Sequence, residues 1–186
     1  MTADELVAKL KNQDEKARTD AWFRAGEVGA PAIKPLSMVM VESDLEVSRA
    51  AKRALWQIAR HAGRSDAADQ KQAVLAELIG LLNDDQPGVV RREVLWMFSE
   101  IGGDESVDPV ARLLTSAELR EDARMTLQRI PGDKSLAALK AGLAAAPDDF
   151  KPNIAQSLRQ RGEEVPGIPC AKLVPSRKTN VKPAGG

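Results

Sequence analysis

The stretch Val90-Arg91-Arg92-Glu93-Val94-Leu95-Trp96-Met97-Phe98-Ser99-Glu100-Ile101-Gly102 decides the fold. Its apolar residues Val90, Val94, Met97, Phe98 and Ile101 fall three or four apart, which lays them on one face of an α-helix. Gly102 closes the pattern, where a residue able to enter the left-handed conformation commonly ends a helix.

Weaker copies of this pattern recur along the chain. Ala17, Ala21, Ala25 and Val28 precede Gly29, and Val47, Ala51, Ala54, Leu55 and Ile58 precede Ala59. Leu119, Ala123, Leu127 and Ile130 precede Pro131-Gly132, and Phe150, Ile154 and Leu158 precede Gly162. The closing positions 29, 59, 102, 131 and 162 lie 30, 43, 29 and 31 residues apart, so only an insertion at 61–70 breaks the period. The spacing predicts second helices over 14–28, 45–60 and 87–101 and through Leu119–Ile130 and Phe150–Leu158, each of the five preceded by a partner. Those partners carry Leu6, Val7 and Leu10; Leu36; Val74, Leu75 and Leu78; Val107 and Val110; and Leu136, Leu139 and Leu143. Pro35 is expected to bend the start of the third helix or to push its regular part to 36–41. Helices this short cannot each bury a face alone. The chain is therefore an all-α solenoid of about five stacked helix pairs.

Composition agrees. Aromatic residues make up 3 % of the chain and Tyr is absent, so small and aliphatic side chains must fill the core between tightly stacked helices. The 27 basic residues equal the 27 acidic ones, which gives no overall field for nucleic acid or an anionic membrane. Cys170 is the only cysteine, which excludes an internal disulfide and a Cys-rich metal site. The first residues show neither a basic nor an apolar leader segment, and no run approaches the roughly 18 apolar residues of a membrane span. A soluble, cytoplasmic protein without membrane contact is the expectation. The repeat domain is placed at 1–164. Residues 165–186 are expected to form a disordered basic tail; they carry Lys172, Arg177, Lys178 and Lys182 and no acid, which leaves 1–164 with four net negative charges.

Val90-Arg91-x-x-Val94-x-x-Met97-Phe98-x-x-Ile101-Gly102 resembles the second helix of a HEAT repeat, nearest to the short bacterial type also found in phycobilisome lyases. Leu119-Arg120-x-x-Ala123-x-x-x-Leu127-x-x-Ile130 is similar, and the likeness covers residues 2 to 164. It departs at Arg24, in place of a small residue, and at Ser48, in place of an arginine. The resemblance implies a HEAT-like superhelix whose second helices line a concave, partner-binding face. Deoxyhypusine hydroxylase resembles this fold but holds iron through His-Glu pairs, whereas this chain has a single histidine, His61, followed by Ala62. The alkylpurine glycosylases of this type place aromatic and acidic residues in a basic groove, and Trp22, Trp56, Trp96 and Asp20 are the residues here that match that description.

No residue pattern marks chemistry. Asp84-Asp85 and Asp148-Asp149 sit in separate turns, Cys170 has no histidine beside it, and there is no Gly-rich phosphate loop. No catalytic residue, cofactor or metal is expected. Arg18, Arg91, Arg120 and Lys151 form a column that is expected to hold turn carboxylates or helix-terminal carbonyls of adjoining repeats, the alternative being a ladder that grips carboxylates or phosphates of a partner. Trp22, Trp56 and Trp96 fall off the inward positions, either to pack on the next repeat or to stand as exposed anchors. Arg49, Lys52, Arg53, Arg60, Arg92, Arg124 and Arg129 form a basic set on the second helices, which either faces a partner or is balanced by Glu46, Glu93, Glu100 and Asp122. Trp22, Trp56 and Trp96, with Arg53, Arg92 and Arg124, are the candidate partner-binding residues. The expected function is a non-catalytic scaffold that takes another protein, through an acidic segment, on the concave face. The alternatives are nucleic-acid binding through a basic groove, with glycosylase-like chemistry, and an accessory subunit of a lyase.

Overall fold

The computed structural model describes residues 1–42 and 44–169. The greater part of the expected tail, with Cys170, lies outside the described residues, as does Ser43. Among the described residues the regular structure is entirely helical. The helices are α1 (Ala3–Leu10), α2 (Glu15–Phe23), α3 (Ile33–Val39), α4 (Leu45–Ala62), α5 (Ala68–Gly80), α6 (Gly88–Ile101), α7 (Asp104–Arg112), α8 (Arg120–Arg129), α9 (Asp133–Ala145) and α10 (Lys151–Gln160).

Each odd-numbered helix packs on the even-numbered helix that follows it. The odd helices also pack on one another in order to form one layer, and α2, α4, α6, α8 and α10 form a second. This is a solenoid of five helix pairs. Its core runs between the layers, and Val90, Val94, Met97, Phe98 and Ile101 are all buried in it. Ala21, Ala25, Ala50, Ala51 and Ala54 are buried too, and these small side chains allow the close approach of α2 and α4. A buried hydroxyl ties the second layer together where α6 meets α8: Thr126 Oγ1 donates to the carbonyl of Leu95 at 2.8 Å.

Local chemistry sets the helix starts. Thr2 and Glu5 form a reciprocal cap, with Thr2 Oγ1 accepting from the Glu5 N–H at 3.1 Å and Glu5 Oε2 accepting from the Thr2 N–H at 2.9 Å. Asp14 and Asp44 cap α2 and α4 through their carboxylates. Pro35 does not push the regular part of α3 to 36–41, because the helix begins at Ile33. Pro35 lies in the first turn of α3, where its missing N–H has no partner within the helix in any case.

Three expectations are corrected. Helix α2 stops at Phe23 rather than Val28 and tightens to a 3₁₀ turn over Ala25–Glu27, where Gly26 lies so close to His61 that a Cβ would come within 2.7 Å of that side chain. Helix α4 passes Ala59 and ends at Ala62, which moves the close of this repeat and shortens the insertion after it. Gly102 has φ −63°, outside the left-handed region; the glycine is needed because a Cβ there would lie 2.5 Å from the Phe98 carbonyl oxygen. Gly29 and Gly162, at φ 72° and 86°, do take the left-handed form.

At the far end, Arg161 closes the last repeat onto the previous one. Its guanidinium donates to the carbonyls of Leu127 (3.3 Å), Ile130 (2.9 Å) and Gly132 (2.9 Å) and to Ser135 Oγ (3.1 Å). A cation is thus placed on the carbonyl end of α8, where the helix dipole favours it. The segment after α10 is held as well: Arg159 donates to the carbonyl of Val165 at 3.0 Å and to that of Ile168, and Val165 packs on the core. The first residues assigned to the tail therefore lie against the helical body.

Candidate functional site

The arginine column serves the fold. Arg18 donates to the carbonyls of Asn12 (2.7 Å) and Gln13 (2.9 Å) in the α1–α2 turn. Arg91 pairs with Asp84 in the α5–α6 turn at 2.8 Å. Arg120 pairs with Asp149 of the next repeat at 2.7 Å, with its guanidinium 4.6 Å from the centre of the Phe150 ring. Ser48 stands in the column without an arginine's reach, yet its Oγ donates to the Met40 carbonyl at 2.6 Å and makes the same link to a turn. Lys151 reaches only Asp148 in its own turn, at 2.7 Å, and this contact holds the Asp148 carboxyl below its ordinary range. Asp84, Asp148 and Asp149 are thus turn residues that carry these contacts.

The outer face of the second layer holds a different set. In α6, Arg92 and Trp96 are four residues apart and reach one carboxylate on α8: Arg92 Nε donates to Asp122 Oδ2 at 3.1 Å and Trp96 Nε1 donates to Asp122 Oδ1 at 2.8 Å. In α4, Lys52 and Trp56 have the same spacing and reach one carboxylate on α6. Trp56 Nε1 donates to Glu93 Oε2 at 3.1 Å, and Lys52 is paired with Glu93 Oε1. Arg60 lies 5.0 Å from the centre of the Trp56 ring and meets Glu100 at 3.3 Å. A base and a tryptophan on one second helix therefore converge on one acid of the next, twice in succession.

At the last junction, between α8 and α10, the set changes to smaller polar groups. Arg124 is turned in and donates to Glu121 (2.6 Å), Gln128 (3.0 Å) and Ser157 Oγ. Asn153 donates to Glu121 at 3.1 Å. Burial pushes the Glu121 carboxyl up, but the hydrogen bonds from Arg124 and Asn153 and the charge of Arg124 together hold it below its ordinary value.

The first junction, between α2 and α4, is the open one. Trp22, Arg49, Lys52, Arg53, Trp56, Gln57 and Arg60 line a groove of about 530 Å³, and no acidic side chain is among them. Helix α2 brings Trp22 to one wall, and α4 brings the other residues at successive helical turns. Arg49 is paired with Glu46 within its own helix at 2.8 Å, while Arg53 has no acidic partner among the described residues and lies 5.7 Å from the centre of the Trp22 ring. The Trp22 indole N–H is buried and has no acceptor.

Of the six candidate residues, this groove unites Trp22, Arg53 and Trp56. Arg92 and Trp96 lie further along the same face and share Asp122, and Arg124 is occupied within the α8–α10 contact. The groove's remaining cations, Arg49, Lys52 and Arg60, were legible as a basic set on the second helices. The acids Glu46, Glu93 and Glu100 were legible as their counterweight, but which base each meets was not, because Glu93 and Glu100 belong to a helix that only the fold brings alongside.

Among the described residues no group of three or more His, Cys, Asp or Glu side chains could hold a metal ion, and no helix is long and apolar enough to cross a membrane.

No protein-family model matches the chain, and no curated protein matches it. Among solved structures, an engineered protein is similar at 23% identity over 85% of this chain and 80% of that one, with a TM-score of 0.45. A designed armadillo repeat protein in complex with the peptide (KR)4 is similar at 21% identity, over 83% and 80% of the two chains, with a TM-score of 0.44. Computationally designed armadillo repeat proteins for modular peptide recognition give 20% identity, the same 83% and 80%, and a TM-score of 0.45. None of these comparisons singles out the HEAT type.

Proposed function

We propose that this protein is a non-catalytic binding module of the helical-repeat kind, which takes an acidic segment of another protein along the outer face of its second helices. The groove between α2 and α4 is the anchor point. The observation that carries this reading is the groove's lining, with two tryptophans and four cations and no acid. Aromatic walls offer area to bury, and cations set the register of an acidic strand. The groove is built on helices that pack into the core, so its shape exists before the partner arrives, which lowers the ordering cost of binding.

A peptide fits better than a nucleic acid. A polyphosphate needs a continuous run of positive potential. Beyond α4 the face carries Glu93, Glu100 and Asp122 among its bases, and residues 1–164 have four net negative charges. Short acidic segments that end within the α2–α4 groove avoid those carboxylates.

The test is fluorescence anisotropy of the full chain with labelled hexaglutamate, hexalysine and a single-stranded oligonucleotide. Saturable binding of hexaglutamate, weakened by salt and absent for hexalysine, is the expected result. Tighter binding of the oligonucleotide than of hexaglutamate would reverse the assignment.

A further inference from the structure

Counted from its base–tryptophan pair, α6 reads Arg92, Glu93, Trp96, and α4 reads Lys52, Arg53, Trp56. Glu93, one residue after the base, is the acceptor that takes Trp56 and Lys52 of the preceding second helix. The residue at that place in α4 is Arg53. It faces the tryptophan of its own preceding helix, Trp22, but it is a cation and cannot accept the indole proton. Trp56 and Trp96 donate to Glu93 and Asp122, whereas the Trp22 N–H is buried without an acceptor. A buried donor left unpaired is costly, and native structures rarely keep one without a reason.

We propose that the α2–α4 junction is an unfinished rung of this ladder, completed by a carboxylate of the bound peptide that Arg53 and the Trp22 indole N–H hold together. The inference rests on the groove being the peptide site. It goes further by naming the ligand atom and its two partners. In the free protein the Arg53 guanidinium stacks over Trp22; on binding, this exposed, flexible side chain swings to the carboxylate and gives it access to the indole. Lys52 and Arg60 stand by as a second line of positive charge, but each already has an acid of α6. Arg53 is the groove cation with no such claim on it among the described residues. The geometry favours a planar, two-oxygen acceptor, since Glu93 and Asp122 each bond the base through one oxygen and the indole through the other.

The experiment uses the full chain labelled with nitrogen-15 and follows its three tryptophan indole N–H resonances, assigned by the loss of one peak in Trp22→Phe. Acetylated, amidated hexaglutamate is the probe, and inorganic phosphate and an oligonucleotide are the comparisons. The Trp22 peak is expected to move downfield on saturation while the Trp56 and Trp96 peaks stay close to their free positions. Arg53→Gln is expected to weaken binding by about tenfold. Arg53→Glu is expected to abolish it and to shift the Trp22 peak downfield without any peptide, because the chain then supplies its own acceptor. Helicity by circular dichroism confirms that these exposed-site variants fold.

If hexaglutamate binds but the Trp22 peak stays still, or Arg53→Gln binds as well as the wild type, the completed rung is wrong while peptide binding stands. If phosphate or the oligonucleotide moves the Trp22 peak as far as hexaglutamate does, the assignment to a carboxylate is overturned. If hexaglutamate does not bind at all, both the rung and the proposed function fall.

Discussion

The indole N–H of Trp96 donates to the Asp122 carboxylate at 2.8 Å across the junction of α6 and α8, although 46% of the tryptophan's surface is open to solvent. An exposed aromatic residue on a solenoid face is easily taken for a vacant anchor. Here its polar edge is part of the fold.

Trp96→Phe keeps the ring and removes the N–H. Equilibrium urea unfolding is expected to show a loss of about 1 kcal/mol, the usual worth of a partly exposed hydrogen bond to a charged group. Hexaglutamate binding at the α2–α4 groove should be unchanged. A variant of wild-type stability would show that the Asp122 contact contributes nothing.

Asp122→Ala removes the acceptor of both Arg92 and Trp96. Its cost should exceed that of Trp96→Phe and reach roughly 2 kcal/mol, with some of the Arg92 share lost to solvent screening. In a double-mutant cycle Trp96 and Asp122 should couple, and near-additive losses would contradict the shared carboxylate.

Two glycine substitutions should have opposite effects. Gly102→Ala brings a Cβ to 2.5 Å from the Phe98 carbonyl oxygen, so the backbone must shift, at a cost of about 1–3 kcal/mol. Gly80, at the end of α5, has nothing within 4 Å of the position of a Cβ. Gly80→Ala is expected to raise stability by up to about 1 kcal/mol, since alanine is the better helix former. Thermal unfolding of both variants checks the pair, and equal shifts would contradict it.

Glu121 supplies a pH dependence. Burial raises its folded-state pKa, but the hydrogen bonds from Arg124 and Asn153 and the charges of Arg124 and Arg120 together hold it below the ordinary value. The folded state therefore holds the proton less tightly than the unfolded state, and the stabilisation is complete above the ordinary glutamate value of 4.5. It fades as the pH falls through the depressed value. The melting temperature of Glu121→Gln should lie below that of the wild type near neutral pH and approach it in acid. A gap that widens on acidification would refute the sign.

Much of the solenoid is legible in the sequence because its cause is local. Spacing alone places Val90, Val94, Met97, Phe98 and Ile101 in the core, and all five are buried. The limits of individual helices are less legible. Helix α2 stops at Phe23, just before Gly26 comes against His61 of α4, a contact between segments distant in sequence, and α4 runs on past Ala59 to Ala62. The arginine column was readable as a structural feature, with Ser48 as the exception, and Ser48 makes the equivalent link at shorter range. The groove's residues were readable on their helices, but not their pairing. Which acid answers which base depends on the alignment of successive second helices, and the absent acid beside Trp22 shows only once Glu93 and Asp122 are seen beside Trp56 and Trp96.

Photo-crosslinking reports where the partner sits. Hexaglutamate with a photoreactive group at one end is bound to the full chain, irradiated, and the modified residues are identified by mass spectrometry. Crosslinks confined to α2 and α4, lost when unlabelled hexaglutamate competes, are the predicted result. Crosslinks concentrated on the odd-numbered helices, or spread along α6, α8 and α10 with α2 and α4 untouched, would contradict it.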